Sequence, residues 1–335
     1  MELSLERVEL RFARPLATAY GLLHARELVE VALTGDDGLV GYGEAAPLEP
    51  YDGVPIARVL AALETYRRVL ADPLPAGVTA LDACRSADEL PQALAAIDLA
   101  LWDMGGRRAG RPVCELLTSS PAASVSVNAS IAAEDPREAA AAAAAAVAAG
   151  YSCVKLKVGL GDDEARVAAV REAIGPGPQL RLDANGAWSV EQAERLLAVL
   201  SNHGLELVEE PVSGLQATAQ LRARVPVRIA IDETAASAGA LTARVADAVC
   251  LKVSRCGGIG GLLAAASLVR TTGAEVYLAS TYDGPRGIAA ALHAAAALAP
   301  LPPCGLATLE LFEGPSQLPV EHGEIAVPRA PGLGV

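Results

Sequence analysis

The sequence predicts an α/β protein built on a parallel (β/α)8-type barrel, with a smaller α+β module ahead of it. Two observations carry this. From Ser124 onward, eight short apolar runs alternate with helical segments, the pattern of a parallel sheet wrapped by helices. Those runs are apolar throughout rather than at every second position, as strands covered on both faces are. The 335 residues suit one large domain with a smaller partner. Hydrophobic residues make up 52 % but aromatics only 3 %, so the core has to be built from Ala, Val, Leu and Ile.

The leading module comes first. Val8–Phe12, Glu27–Leu33 and Leu39–Glu44 read as short strands, and Gly35-Asp36-Asp37-Gly38 between the last two is a hairpin turn. Helical patterns follow at Val54–Leu70 and Leu90–Gly105, and Ala109–Pro112 interrupts the second. The boundary is placed at 95/96, the barrel at 96–311, and a tail at 312–335 packs near the first module.

The barrel strands are expected at Val125–Ile131, Cys153–Lys157, Leu180–Asp183, Leu205–Glu209, Val227–Ile231, Ala248–Lys252, Val276–Ala279 and Leu306–Leu309. Helices are expected between them at Pro136–Ala149, Glu164–Ile174, Val190–Asn202 and Leu262–Thr272. An open doubly wound sheet is the competing fold. It calls for a Gly-rich turn after the first strand, where Asn128-Ala129-Ser130 stands.

Charge then collects at the strand ends. The strands finish Lys155-Leu156-Lys157, Asp183-Ala184-Asn185, Glu209-Glu210-Pro211, Asp232-Glu233 and Lys252. In a barrel the C-terminal strand ends converge on the active site, so Asp183, Glu209 and Asp232 face one another. Three unpaired carboxylates repel and are costly to bury. A hard divalent cation such as Mg²⁺, with oxygen ligands and open positions, relieves that cost. The plainer alternative is a set of lysine–carboxylate pairs at the mouth. Lys155 and Lys157 share one face of their strand, and Lys252 lies across the barrel. Lys155 beside Lys157 favours the neutral, basic form of the latter, which makes Lys157 the leading base. A Schiff-base lysine is the other use of such a residue, and it has no need of three carboxylates.

A formal net charge of −13 argues against nucleic acid, whose phosphates need a basic surface, and mildly against an anionic membrane. The Ala-rich run Ala139–Ala149 falls short of the ~20 residues a bilayer requires. No apolar signal core opens the chain, and six cysteines without a C-x-x-C pair read as reduced thiols. The expectation is a cytoplasmic protein, with a small anionic substrate not excluded and homo-oligomerisation open.

Taken together, the strand-end motifs resemble the muconate lactonizing enzyme subgroup of the enolase superfamily. Ala96–Asp103 is similar to the helix that leads into that family's barrel, and Gly41-Tyr42-Gly43-Glu44-Ala45 to a strand of its capping domain. The resemblance covers nearly the whole chain. It implies a modified TIM barrel under an α+β N-terminal cap, with Mg²⁺ (or Mn²⁺ in its place) held by Asp183, Glu209 and Asp232. Lys157 and Lys252 would flank the substrate, Lys155 and Asn185 would support the site, and Glu233 would pair with Lys252. Leu16–His24, which includes Tyr20, and Leu48–Gly53 would close the mouth. Enolase-superfamily sites are known to remove a proton beside a carboxylate with a Lys or His base while Mg²⁺ stabilises the enediolate, and the resemblance implies that chemistry here.

The shared residue set does not separate dehydration, cycloisomerisation and racemisation. Dipeptide epimerases carry D-x-D after strand eight, whereas Glu310-Leu311-Phe312 stands here. Pro303–Leu309 is similar to the corresponding region of actinobacterial o-succinylbenzoate synthases. That makes o-succinylbenzoate synthase, a dehydratase of menaquinone biosynthesis, the first expectation. A muconate-type cycloisomerase and an N-acyl amino acid or dipeptide racemase-epimerase are the alternatives. A non-catalytic binding protein on the same scaffold is the reading from another class. Asp283 stands where Glu is usual in the seventh strand. Arg255 and Arg286 are each either a partner for a second substrate carboxylate or solvated.

Overall fold

The structure, a computed structural model, describes residues 1–18 and 21–335; Tyr20 lies outside the described residues. Three strands, β1 (Glu2–Thr18), β2 (Gly21–Thr34) and β3 (Val40–Ala45), form an antiparallel meander. The turn between β2 and β3 is the expected one, closed by Gly35 N to Leu39 O at 2.9 Å. The first two strands run well past the apolar stretches. Many of the added residues, such as Glu2, Arg7 and Leu22, are exposed, and backbone pairing from Glu2↔Thr34 to Thr18↔Gly21 sustains the strands.

Four helices complete this module and lead out of it: α1 (Glu49–Asp52), α2 (Ile56–Ala71), α3 (Ala80–Ala87) and α4 (Pro91–Ala109). Their apolar faces bury Val59, Leu63, Tyr66, Leu94 and Ile97 against Val29, Val31 and Leu33 of the sheet. Gly41 and Gly43 let β3 lie directly on α4. A Cβ at either position would come within 2.1 Å of the Ala100 or Ala96 carbonyl oxygen. Helix α4 is continuous, so the expected division at 95/96 falls inside a helix rather than in a linker.

After α5 (Val113–Leu117), the expected first barrel strand divides. Strand β4 (Ser124–Ser126) pairs antiparallel with the tail, and only β5 (Ala129–Ile131) joins the parallel sheet. The sheet continues through α6 (Pro136–Ala148), β6 (Cys153–Lys157), α7 (Asp163–Ile174), β7 (Gln179–Asp183), α8 (Val190–Leu200), β8 (Leu207–Glu209), α9 (Leu215–Arg222), β9 (Ile229–Ile231), β10 (Ala248–Leu251), α10 (Ile259–Arg270), β11 (Glu275–Leu278) and α11 (Pro285–Leu298). Side-chain caps start several of these helices. Asp162 accepts from Ala165 N, and Ser189 with Gln192 forms a reciprocal capping box.

The ring closes differently from expectation. Leu306–Leu309 is not a strand; Cys304 and Gly305 make the closing bridges, to Val127 and Ala279. Leu306 and Leu309 are apolar because they are buried at a 3₁₀ turn over Leu309–Leu311, not because they pair. Phe312 then stacks on Phe12 of β1, with centroids 4.6 Å apart. The tail adds β12 (Val320–Glu321) and β13 (Glu324–Ala326), which pairs with β4. Between β9 and β10, where a barrel ordinarily carries an α-helix, two 3₁₀ turns stand at Glu233–Ala236 and Ala240–Thr242.

Two polar contacts tie distant segments together. Helix α10 begins without a cap of its own, and Asp98 of α4 supplies one, accepting from Ile259 N at 2.6 Å and Gly260 N at 3.3 Å. Asp98→Ala is expected to cost roughly 2 kcal/mol, since it leaves buried donors unmet. An unchanged denaturant midpoint would refute that role. His293 is fully buried; its Nδ1 accepts from Cys114 N at 3.1 Å, which leaves Nε2 to donate to Leu333 O at 3.1 Å. Burial pushes its pKa down to about 4. The unfolded chain therefore binds this proton more readily. The stabilisation is complete above the unfolded value near 6.5 and falls by on the order of 3 kcal/mol as pH drops towards 4. Thermal midpoints of the wild type and His293→Gln, compared across that window, should converge as the pH falls; parallel curves would rule the effect out.

No helix among the described residues is long and apolar enough to cross a membrane. The six cysteines are unpaired.

Candidate active site

Strand register builds the site. In adjacent parallel strands Lys157 pairs with Asp183, and Asp183 with Glu209. Asp232 follows β9 directly, and Lys252 follows β10. The strand order β6-β7-β8-β9-β10 therefore sets three carboxylates between two lysines. A cavity of about 300 Å³ opens over them, lined by Lys155, Lys157, Asp183, Asn185, Asp232 and Lys252. Its remaining wall is largely apolar and includes Leu16, Leu48, Ile131 and Leu311.

Lys155 Nζ lies 2.8 Å from Glu209 Oε1 and 3.0 Å from Asp183 Oδ2. Burial works against the charge on Lys155, but the two carboxylates outweigh it and raise its pKa well above the ordinary value. Burial likewise works against ionised Asp183, yet Lys155 and Lys157 hold it down to about 2. Glu209 is wholly buried, and there burial prevails and raises its pKa. Its other oxygen accepts from Tyr277 OH at 2.7 Å, and the Arg181 guanidinium packs 5.0 Å from the Tyr277 ring.

Lys157 Nζ donates to Asn185 Oδ1 at 2.7 Å and lies 3.6 Å from Asp183. Asn185 Nδ2 donates in turn to Glu233 Oε1 at 3.0 Å, so the amide is held with its oxygen towards the lysine. Asn185 adopts a left-handed φ of 44°, a conformation that Asn tolerates better than most residues. On the far wall, Lys252 pairs with Asp232 Oδ1, which also accepts from Tyr51 OH at 2.8 Å. Glu233, expected beside Lys252, accepts from Asn185 through Oε1. Asp232 sits at a turn fixed by buried Glu210, whose carboxylate accepts from Asp232 N at 2.8 Å and Thr234 N at 3.1 Å. Burial pushes the pKa of Glu210 to about 8.

The other expected site residues fall elsewhere. Asp283 lies behind the cavity wall, where it accepts from Thr281 at 2.7 Å. It faces Glu44, which accepts from Gly284 N at 2.7 Å. Glu44 is pushed up to about 8 by burial and then by Asp283. Arg286 is not among the lining residues; it pairs with Glu30 and packs 5.3 Å from the Tyr42 ring, joining α11 to the antiparallel sheet. Arg255 lies 5.0 Å from the Tyr51 ring. Tyr51, Tyr277 and Glu210 escaped sequence reasoning. A lone tyrosine inside the apolar run of β11 was the available signal for Tyr277.

The donor set suits a hard cation. Asp183, Glu209 and Asp232 are buried acceptors whose charge is otherwise offset only by lysines. Ligand atoms of Glu209 and Asp232, together with Cys250 Sγ, lie within 4.8 Å of one another.

Known proteins resemble this chain over both of its parts. Residues 2–118 match the family model described as mandelate racemase / muconate lactonizing enzyme, N-terminal domain, and residues 138–335 the enolase C-terminal domain-like model. The chain is 30 % identical over 300 residues to a hydrophobic dipeptide epimerase of Enterococcus faecalis, covering 86 % of this chain and 84 % of the relative. It is 39 % identical over 220 residues to an o-succinylbenzoate synthase of Thermobifida fusca, covering 62 % and 67 %. A crystal structure of the dipeptide epimerase from Enterococcus faecalis V583, complexed with Mg and the dipeptide L-Leu-L-Tyr, superposes with a TM-score of 0.89 at 27 % identity over 99 % of this chain and 98 % of that one. Matched over both its cap and its barrel, this chain is an enzyme of the enolase superfamily and belongs to the mandelate racemase/muconate lactonizing enzyme group.

Proposed function

We propose that the enzyme removes the proton α to a substrate carboxylate with Lys157 as base, and that the reaction is loss of water to give o-succinylbenzoate. What carries the first part is the placement of Lys157 and Lys252 on opposite walls of one cavity, with buried carboxylates between them. Asp183, Glu209 and Asp232 would hold a divalent ion, Mg²⁺ or Mn²⁺. When bound, the ion supplies positive charge to a carboxylate gaining a second negative charge, a stabilisation of several kcal/mol in a dry site.

The chain's own residues do the rest. Asn185 accepts one N–H of Lys157 and so orients the nitrogen; it is the unprotonated amine that takes the α proton. The hydroxyl on the adjacent carbon departs as water, taking up the proton Lys157 has gained. Lys252 stays charged, since Asp232 outweighs the opposing effect of burial, and it stabilises the developing anion from the other face. Lys155 fixes Asp183 and Glu209 in place.

Dehydration is preferred over epimerisation of a dipeptide because of what lines the cavity. Among the described lining residues, the acidic group beyond Asp183 and Asp232 is Glu310. It is exposed and accepts from Val320 N at 3.1 Å, so no buried acid waits for a substrate ammonium. The second reading, an N-acyl amino acid or dipeptide racemase-epimerase, draws on the likeness to the Enterococcus faecalis enzyme and on Lys252, which could act as the opposite-face acid. Proton NMR in deuterated buffer with Mg²⁺ separates them, using the o-succinylbenzoate precursor, muconate, N-succinyl amino acids and dipeptides. Water loss from the precursor, with the acyl amino acids inert, supports the synthase. Deuterium at the α-carbon of an acyl amino acid or dipeptide overturns it in favour of the second reading.

A further inference from the structure

We propose that Tyr277 is a positioning residue of the metal centre. Its hydroxyl holds the Glu209 carboxylate in the orientation that takes the ion, and Arg181 holds the ring of Tyr277. This rests on the reading of Asp183, Glu209 and Asp232 as ligands of a divalent cation.

The contact crosses the barrel interior. In the sheet, β10 and β9 stand between β11, which carries Tyr277, and β8, which carries Glu209. Tyr277 OH donates to Glu209 Oε2 at 2.7 Å, and Lys155 Nζ of β6 donates to Glu209 Oε1 at 2.8 Å. Both carboxylate oxygens are therefore held, by side chains from two other strands. An ionised carboxylate has about four lone-pair sites, so these two bonds leave each oxygen able to accept again. The terminal torsion of a glutamate has no sharp preference of its own, so the donors, not the side chain, set the plane of the group. Lys155 divides its hold between Glu209 and Asp183. The Tyr277 hydroxyl is bonded to Glu209.

Burial makes the arrangement hard to replace. Glu209 is 0 % exposed and Tyr277 1 %, so no bulk water can stand in for a lost donor. The ring is fixed as well. Arg181 stands two residues before Asp183 on β7 and so shares its face of the strand. Its guanidinium carbon lies 5.0 Å from the centre of the Tyr277 ring. Arg181 is wholly buried and is itself tied down, to Glu206 and to Pro303 O at 2.6 Å. Phenylalanine would fill the same core space on this arginine. What tyrosine adds is one donor, and that donor meets a ligand. Partners of this kind behind a metal ligand typically change metal affinity by about 10- to 100-fold.

The test is a manganese paramagnetic titration of the full-length enzyme. Tyr277→Phe is expected to raise the dissociation constant for Mn²⁺ by about tenfold or more. A chain carrying 4-aminophenylalanine at this position, which returns a donor at the ring tip, should recover most of the loss. One carrying 4-methylphenylalanine, of the same shape without a donor, should not. That pair preserves the test if Tyr277→Phe is poorly folded. Val276→Ala is the control for a loosened strand: it deletes buried methyl groups from the same strand, on its other face, and should leave Mn²⁺ affinity unchanged. Unchanged affinity in Tyr277→Phe, no recovery with the amino ring, or an equal loss in Val276→Ala would each overturn the proposal. Glu209→Gln separates it from the reading beneath it. If Glu209→Gln abolishes binding while Tyr277→Phe does nothing, the carboxylate triad stands and the role of Tyr277 falls. If Glu209→Gln leaves affinity unchanged, both fall.

Discussion

Lys157→Ala is expected to lower kcat by a factor of about 10³ or more while leaving metal affinity within a few-fold of wild type. Placing a proton acceptor correctly contributes roughly 10²–10⁴ to such a step, and no described neighbour can replace it: Lys155 is locked between Asp183 and Glu209 at 3.0 and 2.8 Å. Because Lys157 touches Asn185 rather than serving as a ligand, a magnesium titration should barely move. Two results would count against the assignment. Retained turnover would shift the base to Lys252, and a collapse of metal binding would make Lys157 a structural support of the carboxylates. Single-turnover measurement of α-proton exchange isolates the step from product release.

Asp232→Asn is expected to raise the dissociation constant for Mg²⁺ or Mn²⁺ by at least tenfold, with a smaller rise for a mutation at Asn185. The substitution keeps an acceptor for Tyr51 and Lys252 but removes the charge that would make the position a ligand for a hard cation. It also leaves the buried Lys252 ammonium without its ion-pair partner, which costs on the order of 3 kcal/mol when the partner is deleted outright. The metal-free variant should therefore also unfold earlier than the metal-free wild type. Manganese paramagnetic titration reads the first effect and a denaturant midpoint the second. Unchanged values for both would remove Asp232 from the centre altogether.

At the Asp98 cap, a residue from one element completes another that lacks something of its own, the helix start at Ile259. Such completions are invisible to local pattern. Asp98 stands in a helix whose sequence explains only its helical periodicity, and nothing about residue 98 points to residue 259.

The amino-acid sequence by itself determined the alternation of strand and helix, the hairpin turn at 35–38, and the charged residues at the strand ends. These are local or periodic properties. An apolar run covered on both faces, a Gly-Asp-Asp-Gly turn and a polar residue just past a strand each leave a mark within a few positions. Register did the rest: once parallel strands align, Lys157, Asp183 and Glu209 must stand abreast. Tertiary structure alone decided where the ring closes, because Leu306 and Leu309 are as apolar as strand residues while Cys304 and Gly305 make the bridges. It decided that Tyr51 and Tyr277 reach the carboxylates across 181 and 68 residues of sequence. It also separated Arg255 from Arg286, two cations alike in sequence, by giving Arg286 a carboxylate partner and Arg255 a tyrosine ring. Partner choice for a buried or half-buried charge depends on what the whole chain brings within a few ångströms, and no short window of sequence holds that information.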